Sequence, residues 1–131
     1  MDQAEFTLYD VSAFPIVCLR SQGLPTGYTR TWIAESETLL RGGAPFVLIF
    51  LDAIEGEAQE DRKTRMQWLK ANKTALATLC RGIISVEPNT ARRLARRAQA
   101  AIVSKAFGFR LAVTTDMQEA EQLARSLLTD T

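Results

Sequence analysis

Five carboxylates lie close together between residues 52 and 61 of this 131-residue sequence: Asp52, Glu55, Glu57, Glu60 and Asp61. Carboxylate oxygens are preferred ligands of magnesium and calcium, so this stretch could hold a hard cation. Its spacing matches no known calcium-binding loop. The same charges would keep a loop soluble and complement the positive end of a following helix. We favour the second interpretation and predict no metal site.

A second cluster of charge consists of Arg92, Arg93, Arg96 and Arg97, which recur with helical spacing. Guanidinium groups in such a stripe could bind phosphates or an acidic protein surface. The whole chain carries 16 basic and 15 acidic residues, a net charge of +1. Because neither a global positive field nor interleaved aromatic residues accompany the stripe, we predict no nucleic-acid binding and favour an acidic protein partner.

Large apolar side chains form a third group, in which Tyr28, Trp32 and Met66 occupy positions with helical spacing. They could line a pocket for a small apolar ligand, although residues of this kind more often belong to a core. Trp68 lies off the stripe that Met66 and Leu69 define. We therefore expect Trp68 to be exposed and available to a protein partner.

The chain contains no histidine. Serine–histidine–aspartate and cysteine–histidine catalysis, histidine-ligated zinc and histidine-based pH switching are therefore excluded. Cys18 and Cys80 are far apart in apolar runs, which is typical of buried thiols in a reducing cytoplasm and not of metal or redox motifs. Acid–base catalysis would depend on carboxylates or lysine alone, and no paired arrangement stands out. We rank an enzyme last and expect no cofactor.

The strands that must position these residues are short and widely distributed. Residues 6–11 and 14–20 are rich in β-branched and aromatic side chains, which predicts two antiparallel strands. Residues 46–51 are apolar without alternation, as expected of a central strand that is covered on both faces. Residues 83–86 and 109–113 predict two further strands, parallel to the central one.

Helical spacing predicts four helices between and after these strands. The first runs from Tyr28 to the glycines at 42–43. The second runs from Asp61 to residues 81–82, with Cys80 on its apolar face. Together with the strands, they contribute to the order β-β-α-β-α-β-α-β-α, which predicts one α/β domain over residues 1–131 with a mixed, mostly parallel sheet.

The last two helices have clearer starting signals. The third opens at residues 88–90, and its arginines are expected to face solvent while apolar residues face inward: Leu94, Ala98, Ala101 and Ile102. The fourth begins at a capping box in one of two registers, Thr115 with Gln118 or Asp116 with Glu119.

This order and several local patterns resemble the STAS-like family, the fold of bacterial anti-sigma-factor antagonists and of ligand-binding relatives with a Sec14-like character. The resemblance extends from about residue 14 to residue 128. The matching segments are residues 16–23 with Tyr28 and the glycines at 42–43, residues 83–86 with 89–94, and residues 109–123. They are similar to the family's second strand, glycine turn and first helix, to its penultimate strand and following helix, and to its last strand and closing helix.

The resemblance implies a small regulatory module that binds a protein partner without catalysis. A carrier or sensor of a small apolar ligand is the alternative. Phosphorylated members of the family carry an Asp-Ser pair where the central strand passes into the next helix, but residues 61–64 contain no serine. Arg62 and Lys63 stand in its place, and Thr64 is a poor substitute. We therefore expect no control by serine phosphorylation.

The candidate sites follow from these patterns. The candidate partner-binding residues are Arg62, Lys63, Trp68, Arg93 and Arg97, and the candidate ligand-binding residues are Tyr28, Trp32 and Met66. A second copy of the chain remains open as a partner. No apolar run approaches the roughly 20 residues that a membrane span needs, and the acidic start lacks the features of a secretory signal. We expect a cytoplasmic location.

Overall fold

A computed structural model describes residues 2–20, 24–51 and 57–129. Its five strands form one sheet in the order β1-β2-β3-β4-β5. They are β1 (Tyr9–Asp10), β2 (Ile16–Leu19), β3 (Phe46–Phe50), β4 (Cys80–Val86) and β5 (Leu111–Thr114). β1 is antiparallel to β2, and every other neighbouring pair is parallel. The predicted α/β fold with a mixed, mostly parallel sheet is confirmed.

Five α-helices accompany the sheet in the part of the chain that the structure describes. They are α1 (Thr29–Arg41), α2 (Gln59–Ala71), α3 (Lys73–Leu79), α4 (Thr90–Phe107) and α5 (Met117–Thr129). A short 3-10 helix, Gln3–Glu5, precedes β1. No helix in the described ranges is both long enough and apolar enough to cross a membrane.

The central strand β3 separates two apolar cores. Leu48 belongs to the larger core, to which α1, α2 and α3 contribute Trp32, Leu69 and Leu76. Val47 and Ile49 belong to a second core, to which α5 contributes Ala120, Ala124 and Leu127. Successive side chains of a strand point to opposite faces, so both faces of β3 are covered. This explains why its sequence is apolar without alternation.

The second predicted helix is in fact two helices. α2 ends at Ala71 and α3 begins at Lys73. At the break, the Asn72 side chain donates a hydrogen bond to the Trp68 carbonyl at 2.9 Å, and the Asn72 backbone N–H donates to the same carbonyl at 3.0 Å. Asparagine side chains compete in this way for helical carbonyls. Cys80 lies in β4 and not on a helix, so its predicted position is wrong.

The starts of the last two helices agree with their sequence signals. Asn89 caps α4, because its Oδ1 accepts a hydrogen bond from the Arg92 N–H at 2.9 Å. α5 begins in the second of the two predicted registers, where the Asp116 carboxylate accepts a hydrogen bond from the Glu119 N–H at 2.9 Å. Side-chain caps of this kind satisfy N–H groups that have no partner within the helix.

Candidate functional site

The orientation of α4 differs from the prediction. Leu94 and Ile102, which were expected to face inward, are 62% and 72% exposed. Ala98 and Ala101 are also exposed, and α4 has no buried residue. The helix packs mainly against β5, the last strand of the sheet, so it does not lie over the sheet's centre. The inward assignment of these four residues is therefore wrong.

Three of the four arginines of α4 face the sheet, contrary to expectation: Arg93, Arg96 and Arg97. Arg93 Nη1 donates to the Glu87 carbonyl at 3.1 Å, just beyond the end of β4. Arg96 forms an ion pair with the Glu87 carboxylate at 3.3 Å. Arg97 donates from Nε and Nη2 to the Val113 carbonyl in β5, at 3.3 and 3.2 Å. These contacts orient α4, because they hold one side of the helix against β4 and β5.

The Val113 carbonyl lies on the outer edge of the sheet. The Glu87 N–H donates to the Thr114 carbonyl at 2.8 Å, so the Thr114 carbonyl faces β4. Carbonyls alternate in direction along a strand, and the Val113 carbonyl therefore points away from β4. An open carbonyl at a sheet edge can pair with another chain. Arg97 binds the Val113 carbonyl and thereby prevents it from pairing with a strand of another chain.

The side of α4 opposite the arginine contacts is mostly apolar. Positions three, four or seven residues apart share one face of a helix. This outer α4 face consists of Ala91, Leu94, Ala98, Ala101, Ile102 and Lys105, all of them exposed. Within the described ranges, Leu94 and Ile102 are the exposed large hydrophobic residues. The prediction from sequence did not identify this surface. A second apolar stripe on α4, formed by Ala100, Val103 and Phe107, could have indicated which side of the helix faces inward.

Trp68 is buried, so the expectation that it is exposed is wrong. It is 8% exposed, and its Nε1 donates to the Glu37 carboxylate at 3.2 Å. Its ring packs edge-on against Trp32, with the ring centroids 5.1 Å apart. Trp68 is buried although it lies off the Met66 and Leu69 stripe, because α2 packs against α1 and brings its ring against Trp32. Its ring is therefore not available for contact with a partner.

Arg62 and Lys63 are exposed on α2, whereas Arg93 and Arg97 lie on α4. α2 packs against α1 and α3, and α4 packs mainly against β5. The structure thus distributes the basic candidate residues over two separate helices. Thr64 is half-buried within α2 and does not lie at a strand end.

A cavity of about 30 Å³ lies between the sheet and helices α1, α2 and α3. Most of its lining is apolar and includes Trp32 and Trp68, while Tyr9, Ser36 and Arg65 bring polar groups. One buried water needs roughly 10–15 Å³ by this measure, so the cavity has room for about two waters. Of the predicted ligand-binding residues, Trp32 lines the cavity, but Tyr28 and Met66 are not in its lining.

Tyr28 instead belongs to a polar network in front of α2. Its hydroxyl donates a hydrogen bond to Glu57, whose carboxylate also pairs with Arg65 at 3.1 Å. Burial acts to raise the pKa of Glu57, but the hydrogen bonds from Arg65 and Tyr28 outweigh it and the pKa is lowered. Burial, together with the bond to Glu57, raises the pKa of Tyr28. The network therefore keeps Glu57 ionised and Tyr28 protonated.

The Asp61 side chain caps α1. Its carboxylate accepts the Gly27 N–H and the Thr29 hydroxyl, both at 2.8 Å. The bond from the Gly27 N–H is the main reason why the pKa of Asp61 is lowered. Asp61 therefore joins the start of α2 to the start of α1.

The five carboxylates first considered as cation ligands have separate environments. Asp52 and Glu55 lie outside the described residues. Glu60 is exposed, while Glu57 and Asp61 bond to groups of the chain itself. In the described ranges, no three His, Cys, Asp or Glu side chains are grouped so that they could hold a metal ion.

Comparisons of the chain with protein-family models, with curated proteins and with solved structures found no match. The functional interpretation therefore depends on the geometry of the chain's own residues.

Proposed function

We propose that the chain is a cytoplasmic STAS-like regulatory module that binds a protein partner through the outer α4 face and acts by binding, not by catalysis. The observation that carries this proposal is the exposure of Leu94 and Ile102, 62% and 72%. The two side chains lie eight residues apart, roughly 12 Å along the helix axis, with alanines between them. Single exposed hydrophobic residues are ordinary, but a continuous apolar strip marks an interaction surface.

The rest of α4 supports the proposal because it holds this strip in a fixed orientation. Asn89 caps the start of the helix, and Gly108 ends it with a φ of 77°. Arg93 and Arg97 tie its inner side to backbone carbonyls. A surface that is already ordered loses little conformational entropy when it binds.

The family assignment and the absence of phosphorylation control are part of the same proposal. An α/β fold with a mostly parallel sheet is compatible with a STAS-like domain without being specific to one. Asp61, which stands where the family's Asp-Ser pair would begin, is occupied in capping α1. Its neighbours Arg62 and Lys63 offer no hydroxyl to a kinase.

A carrier of a small apolar ligand is the second candidate function. The cavity beside Trp32 favours it, because that cavity is largely apolar and contains the Tyr9 and Ser36 hydroxyls. At about 30 Å³, the cavity would have to widen before it could admit more than about two waters. We therefore rank the carrier second.

The proposal is tested by comparing three immobilised forms of the chain as baits in lysate of its source cells: wild type, the double variant Leu94→Ser/Ile102→Ser, and Gln99→Ser. Gln99 is exposed on α4 but lies outside the outer face. We expect wild type and Gln99→Ser to retain the same protein, identified by mass spectrometry, and the double variant to lose it. Retention of the same proteins by all three baits would contradict the proposal.

Native mass spectrometry of the wild type, purified from its source cells, separates the two candidate functions. A carrier would retain a small molecule, and Trp32→Ala would reduce its content. A protein-binding module would show the mass of the chain alone in the same measurement.

A further inference from the structure

The charged side chains of α4, the helix that carries the outer face, all have one sign. α4 contains four arginines and one lysine but no acidic residue. Lys105 belongs to the outer face itself and is exposed. The absence of acidic residues means that no side chain of α4 balances this charge.

The contacts of the arginines leave much of the positive charge in place. Arg93 and Arg97 donate to the carbonyls of Glu87 and Val113, which carry no formal charge. These bonds satisfy guanidinium N–H groups but do not neutralise them. Arg96 differs, because it pairs with the Glu87 carboxylate.

The shape of the outer face suits a helix. Ala98 lies midway between Leu94 and Ile102, so two large side chains flank a small one. A small side chain between two large ones leaves room for a side chain of a second helix, as in the packing of knobs into holes. A partner that covers this strip needs its own apolar stripe at helical spacing.

We infer that the occupant of the outer α4 face is an amphipathic helix of a protein partner, with an apolar stripe flanked by Asp or Glu. This inference rests on the proposed function. The stripe covers Leu94 and Ile102, and the carboxylates lie near Lys105. Complementary charge would increase the association rate and fix the orientation of the bound helix.

Two other occupants fit the surface less well. A second copy of the chain would bring the same basic helix, and like charges would oppose its approach. The outer α4 face would offer a membrane two large aliphatic residues and no aromatic side chain. Helices that bind membrane surfaces commonly bury tryptophan and phenylalanine as well as leucine.

The test uses a display library of helical peptides as long as α4, 18 residues, with randomised sequences. The library is selected on the full wild-type chain and counter-selected on Leu94→Ser/Ile102→Ser. We expect the enriched peptides to carry an apolar stripe with Asp or Glu beside it. One enriched peptide is then synthesised together with a matched form in which those residues are replaced by Gln or Asn.

Replacing the acidic residues should weaken binding to the wild type by about tenfold, and added salt should reduce this difference. The protein variant Lys105→Gln should bind the acidic peptide more weakly than wild type does. Its affinity for the neutral peptide should be nearly unchanged. Lys70→Gln, an exposed lysine on α2, is the matched control and should change neither affinity.

The outcomes separate the inference from the proposed function. Enriched peptides that depend on Leu94 and Ile102 but lack acidic residues would overturn the inference alone. A library that never separates wild type from the counter-selected variant would overturn both. If the wild type forms dimers that dissociate in the double variant, the occupant is a second copy of the chain and not an acidic helix. If the chain binds phosphatidylcholine–phosphatidylglycerol vesicles and this binding requires the same two residues, the occupant is a membrane surface.

Discussion

The guanidinium group of Arg97 donates two hydrogen bonds to the carbonyl of Val113, at 3.3 and 3.2 Å. The acceptor lies on the outer edge of the sheet, and the donor projects from the inner side of α4. This contact therefore determines which side of α4 faces solvent. With Arg97 and Arg93 turned toward the sheet, Leu94 and Ile102 must face outward.

The first prediction concerns this contact. Arg97→Met removes both hydrogen bonds but retains an apolar stem, and we expect the free energy of unfolding to fall by about 1 kcal/mol. Urea denaturation measures the change. Lys105→Met, an exposed change on the same helix, is the control and should remain within about 0.5 kcal/mol of wild type. Equal effects of the two substitutions would contradict the proposed role of Arg97.

The second prediction concerns Trp68. Because Trp68 is buried against Trp32, Trp68→Ala should reduce the free energy of unfolding by about 3–5 kcal/mol. Trp68→Phe keeps a ring in place and loses the bond to Glu37, so its effect should be smaller. Thermal and urea unfolding of both variants give the comparison. A change of about 0.5 kcal/mol for Trp68→Ala would instead indicate an exposed ring.

The third prediction concerns pH. The pKa of Asp61 is lowered in the folded chain, first of all by the Gly27 N–H bond. The unfolded chain therefore binds this proton more readily, and the stabilisation is present above the unfolded-state pKa and lost as the pH falls through the folded-state value. Asp61→Asn should reduce stability near neutral pH and flatten its decline toward acid. Urea unfolding across this pH range measures both effects.

Glu60 provides the matched control for Asp61, since it lies beside it on α2 and is exposed. Glu60→Gln should leave the pH dependence close to that of wild type. An unchanged slope in Asp61→Asn would show that the cap on α1 does not depend on the charge.

The fourth prediction concerns the buried hydroxyl pair beside the cavity. Tyr9 and Ser36 are hydrogen-bonded at 3.0 Å and are 1% and 5% exposed. Either Tyr9→Phe or Ser36→Ala leaves a buried hydroxyl without this partner, which costs about 1–3 kcal/mol. The double variant should lose less stability than the two single losses combined. Strictly additive losses in a double-mutant cycle would show that the hydroxyls are not coupled.

Much of the fold was predictable because its signals are local. The run 46–51 is apolar without alternation since β3 is covered on both faces. Asn89 and Asp116 act as helix caps, and each accepts a hydrogen bond from an N–H only three residues away. The break at Asn72 was missed because neither glycine nor proline marks it. A single side-chain bond to the Trp68 carbonyl contributes to that break.

The candidate site was harder to predict because it depends on distant partners. Trp68 is separated by 31 residues from Glu37, which accepts its N–H, and nothing near Trp68 in the sequence indicates that burial. α4 has apolar residues on two sides, and hydrophobic spacing alone could not choose between them. The choice depends on the Glu87 and Val113 carbonyls, which lie outside the helix and bind its arginines.

The central claim is that a protein partner covers the outer α4 face. Its most direct test places a photo-crosslinking amino acid at Ile102 of the full chain in its source cells, with the same group at Ala77 on α3 as an exposed control. Irradiation followed by mass spectrometry identifies the crosslinked peptide. We predict one partner segment joined to position 102 and absent from position 77. The absence of any crosslinked protein at position 102, or the same products from both positions, would contradict the account.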